Sequence, residues 1–267
     1  LETYKQDLKL VQQIFLENKP LVDELDSKAP IPKNMPPVTG AINWTRGLME
    51  RIKEPMEKLS TFNDAIFERE EYKDVQKLYK SLMKSLTEYQ NSKIEVWESE
   101  VEESGREKLK QPLLAREEET GLLKVNFDPA LVKLLREVKH FLLINMPVPE
   151  SAQEIYAKNE VYRTQVANLD LIVFMYNEVK QTLHPVEKPL LQERIEKMDQ
   201  TLEPGLKDLK WRSPNINEFI QASMIVVQDV NKTVKTMQSN LNGIKDIMKK
   251  WAEEPLIKRK AKPMNPD

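Results

Sequence analysis

The chain is 267 residues long and sets 41 Lys and Arg against 43 Asp and Glu, a formal net charge of −2, so no strong global field selects nucleic acid or an anionic membrane as partner. Six glycines against 17 prolines suit long helices with hard stops better than a sheet-rich nucleotide fold, whose turns and phosphate loops need Gly. Zero Cys excludes disulfides, thiolate metal sites and a Cys nucleophile and fits a cytoplasmic location, while 40% hydrophobic residues are enough for a folded chain.

Leu8, Val11 and Phe15 recur at helical spacing, which predicts a first helix over residues 3–27. Leu1 already lies inside that pattern, so the sequence reads as a segment of something longer. Pro30, Pro32, Pro36 and Pro37 form a stiff linker, because a run of prolines cannot occupy a helix interior. A second helix starts near Val38 with Ile42, Leu48 and Ile52 on one side, and Pro55 is expected to break it, kink it or open another helix. Val75, Leu78, Leu82, Leu86 and Tyr89 step by three and four through a third block, residues 64–103, which Ser104 and Gly105 should stop.

The period changes between residues 112 and 127. Leu123, Val125 and Phe127 alternate with Leu122, Lys124 and Asn126, and an acidic turn at 117–121 separates them from residues 113–116. A β-hairpin is predicted, with Leu123, Val125 and Phe127 laid on helices because two strands alone are marginal. Asp128 can cap the next helix and Pro129 fits its first turn, with Leu131, Leu134, Leu135, Val138 and Leu142 as the buried stripe. Ser151 with Glu154 forms a capping-box pattern opening a helix to about residue 184, whose nearly all-round apolar centre implies burial on several sides. That centre, residues 169–176 with Asp170 inside, falls far short of the ~20 residues of a membrane span. A shorter helix over residues 189–202 should stop at Pro204 and Gly205.

Ser213 and Pro214 open the last helix, in which Ile216, Ile220, Ser223, Val227, Val230, Val234, Met237, Leu241, Ile244, Met248 and Trp251 form an unbroken heptad seam. Phe219, Met224, Ile225 and Val226 widen its first half to a bundle face. The second half keeps a narrow stripe, so Val234, Met237, Leu241, Ile244, Met248 and Trp251 are candidate contacts with one further helix, from the same chain or another.

The pattern of chemistry-bearing residues predicts no catalytic residue, no cofactor and no metal. The glycines are isolated and no Gly-Lys-Ser/Thr occurs; His140 and His184 lie on different helices without zinc-site spacing; the acidic runs at 68–71, 98–103 and 117–119 lack the spacing and turn Gly of a calcium loop. Asn43-Trp44-Thr45 and Asn231-Lys232-Thr233 match the glycosylation triplet but fall in helical blocks, and Lys258, Arg259, Lys260 and Lys262 read as a charged solvated end. Gly40 and Ala41, delivered by the proline turn, leave room for close approach of a partner backbone, with Trp44 as anchor and Arg46 and Glu50 as polar contacts; the same residues could equally pack their own bundle.

Met35-Pro36-Pro37-Val38-Thr39-Gly40-Ala41-Ile42-Asn43-Trp44 resembles the Pro-Pro-x-x-Gly-Ala-Ile-x-Trp signature of the dynein heavy-chain N-terminal tail. Thr120-Gly121-Leu122-Leu123-Lys124-Val125-Asn126-Phe127-Asp128-Pro129-Ala130-Leu131 with Leu135-Arg136-Glu137-Val138-Lys139 is similar to the hairpin and following helix of that region, as are Asn168-Leu169-Asp170-Leu171 and Leu209-Lys210-Trp211. The wording is closer to axonemal, outer-arm heavy chains than to the cytoplasmic one. The resemblance implies a non-catalytic tail segment in the ciliary or flagellar axoneme. It would hold WD-repeat intermediate chains and light chains, lie against a neighbouring heavy chain, and link a distant ATP-driven microtubule motor to its docking site.

The expected architecture is mainly α, an elongated succession of helical bundles with one inserted β-hairpin: a first bundle at residues 1–105, the hairpin at 106–128, and a second bundle with the long heptad helix at 129–267. A spectrin-like or tethering rod that scaffolds other intracellular proteins is the rival reading, and it would not require the Pro-Pro to Trp44 segment or the hairpin.

Overall fold

The structure is a computed structural model that describes residues 1–61 and 67–253; the basic cluster at Lys258, Arg259, Lys260 and Lys262 lies outside the described residues. Among these the chain is mainly α, in the order α1 (Glu2–Asp23), α2 (Pro37–Ser60), α3 (Glu70–Lys108), β1 (Leu114–Arg116), β2 (Leu123–Val125), α4 (Pro129–Leu143), α5 (Glu150–Ala157), α6 (Asn159–Thr182), α7 (Lys188–Lys207) and α8 (Ile216–Glu253). Two compact units result: Leu1–Lys110 with Phe127–Val161, and Gln111–Asn126 with the chain from Tyr162 on. The grouping differs from the linear division at 105 and 128, since α4 and α5 join the first three helices. Gly105 shows why. It does not stop α3, which stays helical to Lys108; instead a Cβ there would lie 3.1 Å from Ile155 Cδ1 and 3.4 Å from Leu134 Cδ1, so the missing side chain lets α4 and α5 close onto α3.

In the first unit α1 runs antiparallel to α2, as the pairings Tyr4 with Ile52 and Phe15 with Trp44 require, and parallel to α3, as Lys5 with Asp74 and Asp23 with Lys93 require. Leu8, Val11, Leu48, Ile52, Val75, Leu82 and Leu86 fill the space between them. Further along α3, Trp97 stacks on Phe141 of α4 at 4.5 Å. Phe141, fully buried, takes the place expected of Leu142, which is 48% exposed, because the buried stripe ends by a three-residue step from Val138. Asp128 does cap α4, accepting from Ala130 N–H at 2.8 Å. Both α1 and α4 end in Schellman turns, with Asp26 N–H on the Leu21 carbonyl and Met146 N–H on the Phe141 carbonyl, and with Leu25 and Asn145 at positive φ.

In the second unit β1 and β2 pair antiparallel, Leu114 opposite Val125 and Arg116 opposite Leu123. Leu123 is buried, Lys124 exposed and Val125 half-buried, the expected alternation. Asn177 of α6 completes the edge of β2: its side-chain oxygen accepts from Leu123 N–H at 2.9 Å and its amide donates to the Leu123 carbonyl at 2.8 Å, the two bonds a third strand would have made. Trp211, 2% exposed, donates through Nε1 to the Asn126 carbonyl at 2.8 Å. Gly205 lies against α8 so closely that a Cβ would fall 2.5 Å from Phe219 Cζ.

Several local expectations give way to packing. Pro20, Pro55 and Pro204 sit inside α1, α2 and α7, each within the last two turns, where the helix runs only briefly beyond the hydrogen bond they remove. Ser151 does not form a capping box: α5 begins at Glu150, and the buried Ser151 hydroxyl finds no hydrogen-bond partner among the described residues. The stretch expected as one helix to residue 184 is interrupted at Lys158, giving α5 and α6. The apolar centre of α6 is not covered all round, since Leu171 is 47% and Phe174 64% exposed. The Ser213 hydroxyl turns back to accept from Lys210 N–H, and α8 opens at Ile216 without it.

Candidate docking surfaces

The proline turn ends in a helix start whose orphan donors are fully accounted for. Pro37 has no N–H, and Gly40 N–H reaches the Pro36 carbonyl at 2.8 Å. The N–H groups between them go to a side chain almost one hundred residues away: Glu137 of α4 accepts from Val38 N–H at 2.8 Å, Thr39 N–H at 2.9 Å and the Thr39 hydroxyl at 2.5 Å. A 4% exposed carboxylate is thereby placed at the positive end of α2, where the helix dipole favours it. The exchange is reciprocal. Arg46 of α2 donates to the Ile144 carbonyl at the end of α4 at 3.0 Å and contacts the Met146 sulfur. Two parallel helices therefore satisfy each other's ends. Composition and spacing could not reveal this, because neither partner lies near the other in sequence.

That geometry assigns positions to the residues singled out above. A Cβ on Gly40 would lie 2.5 Å from Ile31 Cγ2, so the space Gly40 leaves is occupied by the chain's own proline turn. Ala41 is 2% exposed. Trp44, half-buried, stacks on Phe15 at 5.8 Å and meets Tyr89 edge-on at 6.3 Å. Arg46 faces α4. Glu50 is exposed, and with it Gly47 and Asn43, one and two turns before it, form the outer face of α2; a Cβ on Gly47 would meet nothing within 4 Å. Ala41 and Trp44 thus pack into the core of the first unit, Gly40 is covered by the proline turn, Arg46 turns to α4 on a different side of α2, and Glu50 is exposed.

Beside Trp44, Asp23 accepts from the Tyr89 hydroxyl at 2.7 Å and pairs with Lys93 at 2.8 Å. Burial works against the Asp23 charge, but the hydrogen bonds from Lys93 and Tyr89 and the nearby Lys19 outweigh it and hold the carboxyl below its usual range. Burial, reinforced by Asp23, pushes the Tyr89 hydroxyl up, so it remains a donor. A groove of about 550 Å³ opens next to this cluster, walled by Val22, Val96, Trp97 and Leu134. Its lip carries Leu25 and Val96, 61% and 59% exposed.

The heptad seam divides within the second unit. Ile216, Ile220, Ser223, Val227, Val230 and Val234 are all buried. They face α6, which runs parallel (Gln165 to Asn217, Asn231 to the Met175 carbonyl, Gln238 to the Thr182 carbonyl), and α7, which runs antiparallel (Arg194 to Asp229 and Thr233, Gly205 against Phe219). Met237 is half-buried; Leu241, Ile244, Met248 and Trp251 are exposed. Asn231, in one of the two glycosylation-like triplets, is 7% exposed and donates to Glu178 at 2.8 Å, so its amide serves the α6–α8 contact.

The family described as dynein heavy chain, N-terminal region 1, is matched over residues 1–219. The chain is 35% identical, over 97% of its length, to the dynein beta chain of the flagellar outer arm of Chlamydomonas reinhardtii, and 37% identical, again over 97%, to the ciliary dynein beta chain of Tripneustes gratilla. It is 34% identical over 86% to dynein axonemal heavy chain 17 of Mus musculus. The chain spans 5 to 6% of the length of these relatives.

Proposed function

The chain belongs to the dynein heavy chains, in their N-terminal region and with their axonemal members, and from that premise we propose that it is a non-catalytic tail segment that assembles other subunits around the heavy chain. In this reading WD-repeat intermediate chains, light chains and a neighbouring heavy chain dock on its helices. The segment itself takes no cofactor and passes force between a distant ATP-driven microtubule motor and its axonemal docking site. The observation that carries the reading is the exposed apolar second half of α8, where Ile244, Met248 and Trp251 are exposed on a helix whose seam residues from Ile216 to Val234 are buried, although Ile225, expected on the widened bundle face, is 69% exposed. Family membership displaces the rival spectrin-like rod.

The outer face of α2 supports a second contact. Asn43, Gly47 and Glu50 are exposed there, while Gly40, Ala41 and Trp44 hold that helix in its own core. The test is co-purification of intermediate chains with a full heavy chain carrying Gly47→Tyr and Glu50→Lys, which alter that face and leave the core intact. Reduced intermediate chain per heavy chain is expected; unchanged stoichiometry would leave α2 with packing alone.

A further inference from the structure

Beyond Gln238, α8 keeps the apolar sector of a coiled-coil strand and loses its neighbours. α6 ends at Thr182, level with Gln238, and α7 begins at Lys188 on the same level, so both run out together. Every residue from Ser239 to Ala252 is exposed, including Leu241 (37%), Ile244 (54%), Ile247 (53%), Met248 (64%) and Trp251 (73%).

At about 3.6 residues per turn, with Leu241 and Met248 at heptad position a and Ile244 and Trp251 at d, Ile247 falls at g and widens the sector. Lys245 then falls at e and Lys249 at b, along the edge next to the a positions, and Lys250 at c, along the edge beyond g. Asp246 falls at f, on the far side. Lys245 and Lys250 therefore put positive charge on the two edges of the apolar sector, and Asp246 lies on the far side from it.

We propose that this stretch, residues 239–252, is a docking helix for an amphipathic helix of another dynein subunit, one that carries Leu or Ile at its own a and d positions and Glu or Asp at the positions flanking them. The proposal rests on the assembly reading above and adds the partner's chemistry. A second copy of the chain fits poorly. An antiparallel pair sets Lys245 against Lys245, and a parallel pair sets Lys245 against Asn240 or Ile247, neither of which attracts it. The sequence of the stretch also suits a helix completed on binding. Asn240, Asn242 and Gly243 are weak helix formers within four residues, and a Cβ on Gly243 would meet nothing within 4 Å, so no internal packing explains the glycine.

The test titrates the 267-residue chain with a peptide of about three heptads that has Leu at a and d and Glu at e and g, and separately with its counterpart bearing Lys at e and g. The Glu peptide is expected to shift Trp251 emission to the blue saturably, and Trp251→Phe should abolish the shift. Met248→Ser should weaken binding roughly tenfold, and Lys245→Glu with Lys249→Glu and Lys250→Glu should reverse the preference between peptides. All these positions are exposed, so an unchanged thermal melt will show that the units remain folded. Equal affinity for both peptides, or no shift with either, overturns the proposal. So does a blue shift that grows with chain concentration alone, with a dimer in sedimentation, because the occupant is then a second copy. In the full heavy chain, a photo-crosslinking side chain at Ile244 is expected to join an acid-edged helix of a different subunit; a crosslink within the heavy chain overturns the choice of partner. If subunits stay bound after Met248→Ser and the crosslink is absent, the docking helix fails and the assembly reading stands. If the unaltered heavy chain holds no subunit, the assembly reading fails while the peptide preference still judges the surface.

Discussion

Replacing Glu137 by Ala would remove an acceptor from Val38 N–H, Thr39 N–H and the Thr39 hydroxyl at once. Donors left unpaired in a buried site cost about 1–3 kcal/mol, so Glu137→Ala should lower stability by at least that much and Glu137→Gln, which keeps one oxygen in place, by less; chemical denaturation of the two variants measures the difference. Glycines separate by what surrounds them. Gly205→Ala drives a methyl into the Phe219 ring and should destabilise by about 1–3 kcal/mol, as overpacked cores do. Gly243→Ala meets open space and should stabilise the end of α8 by up to about 1 kcal/mol, read as added helix signal in circular dichroism. The Asp23 carboxyl gives a pH signature. Its folded pKa is lowered, so its contribution is complete above the unfolded carboxylate value of about 3.9 and disappears as pH falls through the folded value. Asp23→Asn should therefore narrow the stability gap between pH 6 and strongly acid solution; a gap that stays the same in both proteins would show that the pairing with Lys93 and Tyr89 contributes nothing.

Among the elements, α8 shows how one periodic pattern can serve two environments. Leu241 lies at a seam position yet is 37% exposed, so Leu241→Ala should change the melting of the chain by less than about 1 kcal/mol, whereas Leu169→Ala, at a fully buried position of α6, should cost about 2–5 kcal/mol. If both cost the same, the second half of α8 is packed in solution and the docking surface is gone. The hairpin depends on α6 as much as on its own turn. Asn177→Leu keeps the volume but leaves Leu123 N–H and carbonyl without partners, and hydrogen exchange at Leu123 should accelerate relative to Leu82 in α3.

For the whole molecule, two compact units and a family match covering residues 1–219 are what the proposed assembly role starts from. The chain's six glycines are dispersed and none precedes a Lys-Ser or Lys-Thr pair, so the isolated chain is expected to bind no ATP saturably at micromolar concentration in equilibrium dialysis. Saturable binding there would mean a nucleotide site built without a glycine-rich cradle.

What the sequence determined was whatever depends on residues close along the chain. The helical period fixed α1, α3 and the first half of α8; strict alternation at 122–127 fixed the hairpin and its face; Asp128 and Pro129 fixed the start of α4; and the signature from Pro36 to Trp44, together with the segments at 120–139, 168–171 and 209–211, identified the family. Tertiary structure decided what depends on partners far along the chain. Gly105 reads as a stop in sequence and serves as a contact in space, because only the approach of Leu134 and Ile155 shows why the side chain is missing. Gly40, Ala41 and Trp44 look equally apt for a foreign surface or for their own core until Ile31, Phe15 and Tyr89 occupy them. The cap on α2 comes from Glu137, 98 residues after Thr39, and no local pattern points to it. The heptad seam reads evenly from Ile216 to Trp251, but α6 and α7 end where they do for reasons of their own sequences. Periodicity records which face of a helix is apolar; only the neighbouring helices decide where along its length that face is already covered.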